Sequence, residues 1–140
     1  MKRTIQIFLV AAMVLMLGAC TRNHGDIGIW FGTWRVEQIT VGGMPDPVDG
    51  DYFFQFQSKV FRVSRVYGHE QLVESYGTWE ESEDGRLTVT FPDNSVFYIE
   101  MPGLEVRNEF VVQKSSGRQL VLTKVLADGS SCIYLLKKQP

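Results

Sequence analysis

A single all-β domain, an up-and-down antiparallel β-barrel of eight or nine strands, is the fold predicted by this 140-residue sequence. Three observations predict it. From Thr33 onward, runs rich in aromatic and β-branched residues recur between turn signals at spacings of about 8 to 12 residues. Within several runs apolar and polar residues alternate, as Leu87, Val89 and Phe91 do with their neighbours. Nowhere do apolar residues hold a spacing of three and four for the ten or so residues that an amphipathic helix needs. Consecutive hairpins with short connections favour a meander, and closing it removes the edges that seed aggregation. Roughly 120 residues suffice for one hydrophobic core and not for two.

The elements follow in chain order. Thr33 to Val41 is the first strand, with Trp34 and Val36 on one face and Arg35 and Glu37 on the other. Gly42 to Gly50, with Pro45 and Pro47, reads as a loop because prolines and glycines cannot continue a ladder. Tyr52 to Phe56, Val60 to Tyr67 and Gln71 to Glu80 are the next three strands. Glu83-Asp84-Gly85 turns the chain into Arg86 to Phe91, and Pro92-Asp93-Asn94 turns it into a strand over Ser95 to Met101. Glu109 to Lys114, Gln119 to Leu126 and Cys132 to Lys138 complete the set. The later strands are apolar on both faces, so a loop, the N-terminal tether or a partner is expected to cover their outer side.

The N-terminus carries an address. Lys2 and Arg3 precede the uninterrupted apolar run Ile7 to Leu17, which is shorter than the roughly 20 residues of a membrane span, and small residues follow it. Residues 1–19 therefore read as a signal peptide. Leu17-Gly18-Ala19-Cys20 resembles the lipobox of bacterial lipoproteins, whose cysteine is acylated and becomes the new N-terminus. The resemblance implies lipidation of Cys20 by palmitate-type chains, a lipidated tether over residues 20–29, and a barrel domain over 30–140. Each buried methylene of such chains contributes about 0.8 kcal/mol to anchoring. Thr21 stands where inner-membrane retention would place Asp, which implies the outer membrane of a Gram-negative bacterium, and the periplasmic face is expected. Two of the 14 bases leave with the first nineteen residues and none of the 16 acids does, so the remainder carries −4. That balance argues against a nucleic-acid partner and against polybasic adhesion to lipid. Cys132, the second of two cysteines, has no intrachain partner once Cys20 is alkylated and reads as a small buried hydrophobe.

Ile29-Trp30-Phe31-Gly32-Thr33-Trp34 carries a Gly-x-Trp at the start of the first strand, and the tripeptide recurs as Gly77-Thr78-Trp79. Placed after a lipobox and followed by regular hairpins, this resembles the lipocalin superfamily, and the second block looks like lipocalin-like lipoproteins of Gram-negative bacteria. The resemblance implies an eight-stranded barrel closed at one end by Gly32, Trp34, Gly77 and Trp79. Gly32 is expected to leave room on the inward face and Trp34 to plug the floor. The C-terminal helix and long first loop of larger lipocalins are not visible in the sequence.

Catalytic chemistry is sparse. His24 lies in the tether and His69 in a turn, no Cys/His cluster has zinc spacing, and no Gly-rich loop opens a helix. No catalytic residue, cofactor or metal is expected. Asp46, Asp49 and Asp51 surround Gly50 without EF-hand order and read as a solvated turn, and Glu80, Glu81, Glu83 and Asp84 as a soluble hairpin tip. Of Arg62 and Arg65, one points inward, where it meets either a ligand carboxylate or Glu74 or Glu100. Tyr52, Phe54, Phe56, Phe61, Phe91, Tyr98, Phe110 and Tyr134 fall on candidate inward faces and either fill the interior or line a small cavity. Trp30 and Phe53 are expected outside, as a patch for a partner. The expected function is that of a lipid-anchored envelope protein, not an enzyme, binding a small hydrophobic or amphipathic ligand in the barrel. The alternative is an interaction or inhibitor module that engages an envelope protein through its loops.

Overall fold

Period-two alternation builds the wall. In β3 (Asp51–Gln57) Tyr52, Phe54 and Phe56 are buried, and in β6 (Arg86–Thr90) Leu87 and Val89 are; the residues between them are more exposed. The computed structural model describes residues 30–68 and 71–140, apart from the side chains of 114 and 115. The expected signal peptide and lipidated tether, with Cys20 and His24, and also His69, lie outside the described residues.

β1 (Gly32–Val41), β3, β4 (Val60–Tyr67), β5 (Gln71–Glu81), β6, β7 (Arg107–Ser116), β8 (Gln119–Val125) and β9 (Ser131–Lys138) pair antiparallel in sequence order, and β1 pairs with β9 to close the barrel. This is the expected all-β, up-and-down architecture, with eight strands in the closed wall and one further short strand, β2 (Met44–Asp46), on the edge of β1. The closing register runs from Trp34 opposite Lys138 to Val41 opposite Cys132 and shifts between Val36 and Gln38. The extra residue there lets Val36 and Ile39 both face inward although they are three apart, as a β-bulge does.

Two sequence expectations are corrected. Met44-Pro45-Asp46, expected within a loop, forms β2: Gly42 and Gly43 both take positive φ (59° and 80°), the turn that a two-residue hairpin needs, and Pro45 is tolerated on the short edge strand. Ser95 to Met101, expected as a strand, begins instead in a 3-10 helix, Asn94–Ile99. The Asp93 carboxylate accepts from the Ser95 N–H at 2.8 Å and starts it, and Glu100 in the left-handed region (φ 54°) ends it. Val96 and Ile99 recur at the three-residue period of that helix and are its buried residues.

The helix occupies a place that β6 vacates. β5 pairs with β6 only from Thr78 opposite Thr90 to Glu81 opposite Leu87. Beyond Thr90 the chain leaves the sheet, and the helix packs on β5, where the Ser75 and Ser95 hydroxyls are 2.9 Å apart. Gly77 marks the departure: a Cβ there would sit 2.4 Å from the Thr90 carbonyl oxygen. The connection 91–106 then crosses the barrel end where β4, β6 and β8 finish.

Candidate functional site

The two barrel ends are built from different chemistry. At the floor, the fully buried Trp34 ring lies beside the Lys138 ammonium (5.6 Å). Phe56 meets both Phe61 and Trp79 edge-on, with centroids 5.1 and 5.2 Å apart. Gly32 differs from expectation: it is exposed, and its φ of 112° rather than inward room is what requires glycine. Gly77 serves the close approach to Thr90 described above. From the floor, edge contacts continue upward through Phe61 to Phe54 and Phe91, and through Phe54 to Tyr134, at 5.1 to 5.9 Å. Each such pair contributes about 0.5–1.5 kcal/mol beyond area burial.

At the mouth, inward side chains from five strands donate to the main chain of one strap, residues 99–105. Arg65 on β4 donates from Nη1 to the Ile99 carbonyl (3.4 Å), and the Tyr52 hydroxyl on β3 to that of Glu100 (3.0 Å). The Tyr134 hydroxyl on β9 donates to Pro102 O (2.6 Å), Lys124 Nζ on β8 to Gly103 O (2.7 Å), and Asn108 Nδ2 on β7 to Glu105 O (2.6 Å). Gly103 fits beneath them only without a side chain, because its φ is 79° and a Cβ would lie 2.4 Å from Cys132 Sγ. Met101 and Leu104 point down and are buried with Val96 and Ile99. The strap is thus held as an amphipathic ligand would be, by polar donors around its main chain and apolar contacts below.

Two cations dominate the mouth. Arg65 meets Glu100 (3.2 Å) and Asp49 (3.3 Å) and stacks on the Tyr67 and Tyr52 rings at 4.7 and 5.5 Å. Lys124 meets Glu105 (3.0 Å) and the Asn108 side-chain oxygen (2.8 Å). Burial pushes the Tyr134 hydroxyl well above the ordinary tyrosine range, and raises Tyr52 and the Cys132 thiol for the same reason. All three stay neutral at physiological pH, which leaves the two hydroxyls as donors and Cys132 as a buried hydrophobe.

Of the residues expected to face inward, Tyr52, Phe54, Phe56, Phe61, Phe91, Phe110 and Tyr134 are buried. Tyr98 is a correction: it is 78% exposed, because the 3-10 helix turns it and Phe97 outward while Val96 and Ile99 face in. Trp30, expected outside, is buried, whereas Phe53 sits half-buried on the outer face of β3. Arg65 is the inward arginine, and Arg62 pairs outside with Glu74 at 3.4 Å. Asp51 pairs with Arg35 and Asp49 with Arg65, and among the described residues no carboxylate, His or Cys group is arranged to hold a metal. Lys124 and Asn108 were not singled out by sequence, although Lys124 keeps the two-residue period of Leu120 and Leu122, and Asn108 that of Phe110. The outer faces of β8 and β9 hold Val121, Ile133 and Leu135 half-buried.

No family model matches the chain, and no curated protein sequence matches it. Among solved structures, a lipocalin-like protein from Bacteroides uniformis superposes with a TM-score of 0.61 at 20% identity, over 80% of this chain and 100% of that one. The fold is lipocalin-like. An uncharacterized protein from Bacteroides eggerthii gives a TM-score of 0.63 at 20% identity over 79% of this chain and 99% of its own. A redesigned β-barrel gives 0.51 at 16% identity, over 80% and 93% respectively.

Proposed function

We propose that the protein is a lipid-anchored binding protein of the cell envelope, held through Cys20 at the periplasmic face of an outer membrane, whose mouth takes up a small amphipathic molecule in exchange for its own strap. It is a carrier or receptor and not an enzyme. One observation carries this reading: donors from five strands, above an aromatic interior, hold five main-chain carbonyls of the strap. A plug selected for stability alone has little need of buried cations, which apolar residues of similar volume often replace at equal or better stability.

Magnitudes limit the ligand. Exposing Val96, Ile99, Met101 and Leu104 costs about 6–12 kcal/mol at about 1.5–3 for each side chain, comparable with the whole stability of a domain. The strap therefore leaves only if the ligand replaces its apolar contacts. At about 0.8 kcal/mol per methylene, a tail of about ten or more carbons is required. Titration of the protein with a series of fatty acids tests this: binding should be absent at six carbons and present at twelve. Loss of acyl label and of membrane association in Cys20→Ser tests the anchor.

A second reading, an interaction or inhibitor module that engages an envelope protein through the 42–50 loop, draws support from the edge-to-face aromatic contacts that occupy the interior. Crosslinking from that loop in intact cells should then capture one envelope protein reproducibly. Retention of long-chain ligands by the purified protein would favour the first reading over it.

A further inference from the structure

Resting on the ligand-binding reading above, we propose that the mouth selects an anionic head group at Lys124, and that the Glu105 carboxylate of the strap holds the place of that group. The argument starts from an imbalance. The Lys124 side chain is 3% exposed, whereas that of Glu105, its carboxylate partner, is 44% exposed. On the opposite wall Arg65 is 9% exposed, while its partners Glu100 and Asp49 are 76% and 91% exposed. Both cations are withdrawn from water, whereas their carboxylate partners stay partly or largely exposed to it, where the attraction is screened. An anion that replaced Glu105 and brought its own apolar tail would neutralise Lys124 from a drier position.

The surroundings fit an oxygen-rich anion. Lys124 Nζ gives hydrogen bonds to three oxygens, those of Gly103, Glu105 and Asn108, at 2.7 to 3.0 Å. A groove of about 580 Å³ runs over the outer faces of β7 and β8 up to Glu105, lined by Arg86, Arg107, Glu109 and the apolar Leu126, so Glu105 stands between it and the inward Lys124 ammonium. A carboxylate, sulfonate or phosphate at Lys124 would take the place of the Glu105 oxygen as the strap leaves, with the Asn108 side-chain oxygen still accepting from Nζ. The ligand class is therefore a long-chain acid, either a free fatty acid or the head group of an acidic lipid.

The test is equilibrium titration of the full chain with dodecanoate, dodecanol and dodecyltrimethylammonium. Dodecanoate should bind about tenfold tighter than dodecanol, the size of one charge-assisted contact, and the ammonium should bind weakest. Glu105→Gln, which removes the place-holder at a half-exposed position, should tighten dodecanoate about fivefold, the scale of one partly exposed ion pair, and leave dodecanol unchanged. Lys124→Met should abolish the preference; should it fail to fold, the Glu105→Gln comparison decides alone. A gain with phosphatidylglycerol over phosphatidylcholine vesicles assigns the head group to a membrane lipid, and a preference confined to dodecanoate monomers assigns it to a free acid. Equal affinity for all three probes, or no response to Glu105→Gln, overturns the anionic selection while sparing the ligand-binding reading. Failure of every probe to bind overturns both.

Discussion

The floor and the mouth of this barrel are made from the same eight strands and differ in what closes them. At the floor, tight turns such as the one at Gly85 bring strand ends together, and Trp34, Phe56 and Trp79 close the interior with large rings. At the mouth, β6 stops short, and a separate segment is fastened across the opening by Arg65, Lys124, Asn108 and two tyrosines. A closure made of strand residues shifts only when the barrel unfolds. One made of a strap joined by hydrogen bonds and a few apolar contacts has a free energy of opening of its own.

Substitutions at the two ends should separate these closures. The largest effect is expected at the floor, where Trp34→Ala removes the fully buried ring and should cost about 3–5 kcal/mol in denaturant unfolding, lowering protection throughout the barrel. Gly103→Ala at the mouth places a Cβ against Cys132 Sγ at a positive φ and should cost about 1–3 kcal/mol, with lost amide protection confined to 96–105. If it instead loosened β3 and β4 equally, the strap would be part of the same closure as the floor.

A smaller effect sharpens the comparison by pH. Tyr134→Phe should cost about 1 kcal/mol at neutral pH, for one hydrogen bond to Pro102. The hydroxyl ionises more readily in the unfolded chain, near pH 10, than in the folded one, so its contribution is complete below about pH 10 and is lost as pH rises toward the folded value. Wild type should therefore lose stability more steeply than Tyr134→Phe above that pH, and parallel pH profiles would show that the hydroxyl is not buried. The smallest effect is expected for Tyr98→Ser, outside both closures, which should change stability by less than about 0.5 kcal/mol.

The wall was legible because its signal is local. Alternation in β3 and β6 reports burial residue by residue, and Gly85 announces a hairpin without long-range information. Ser95 to Met101 reads as a strand because Val96, Phe97, Tyr98 and Ile99 suit one by composition, whereas its short 3-10 period is decided by where β6 ends and by the Asp93 cap. The mouth was hardest. Arg65 was visible as one of two candidates, and Glu100 as one of its two partners, but Lys124 sits in a run that reads as apolar on both faces. Its burial becomes intelligible only once the strap carbonyls above it are known. A buried cation is specified by partners distant in sequence, here 16 to 21 residues away, and no pattern within its own strand reveals them.

The central claim is that the strap stands in the place of a ligand, and native-state hydrogen exchange tests it most directly. The Glu100, Leu104 and Glu105 amides, bonded to Phe97 O, Met101 O and the Asn108 side chain, report the strap, and the amides of β3 and β4 report the wall. With saturating dodecanoate the strap amides should exchange faster while the wall amides keep their protection. Strap amides that stay as protected as before, with dodecanoate bound elsewhere or not at all, would contradict the claim and leave the strap as a permanent part of the core.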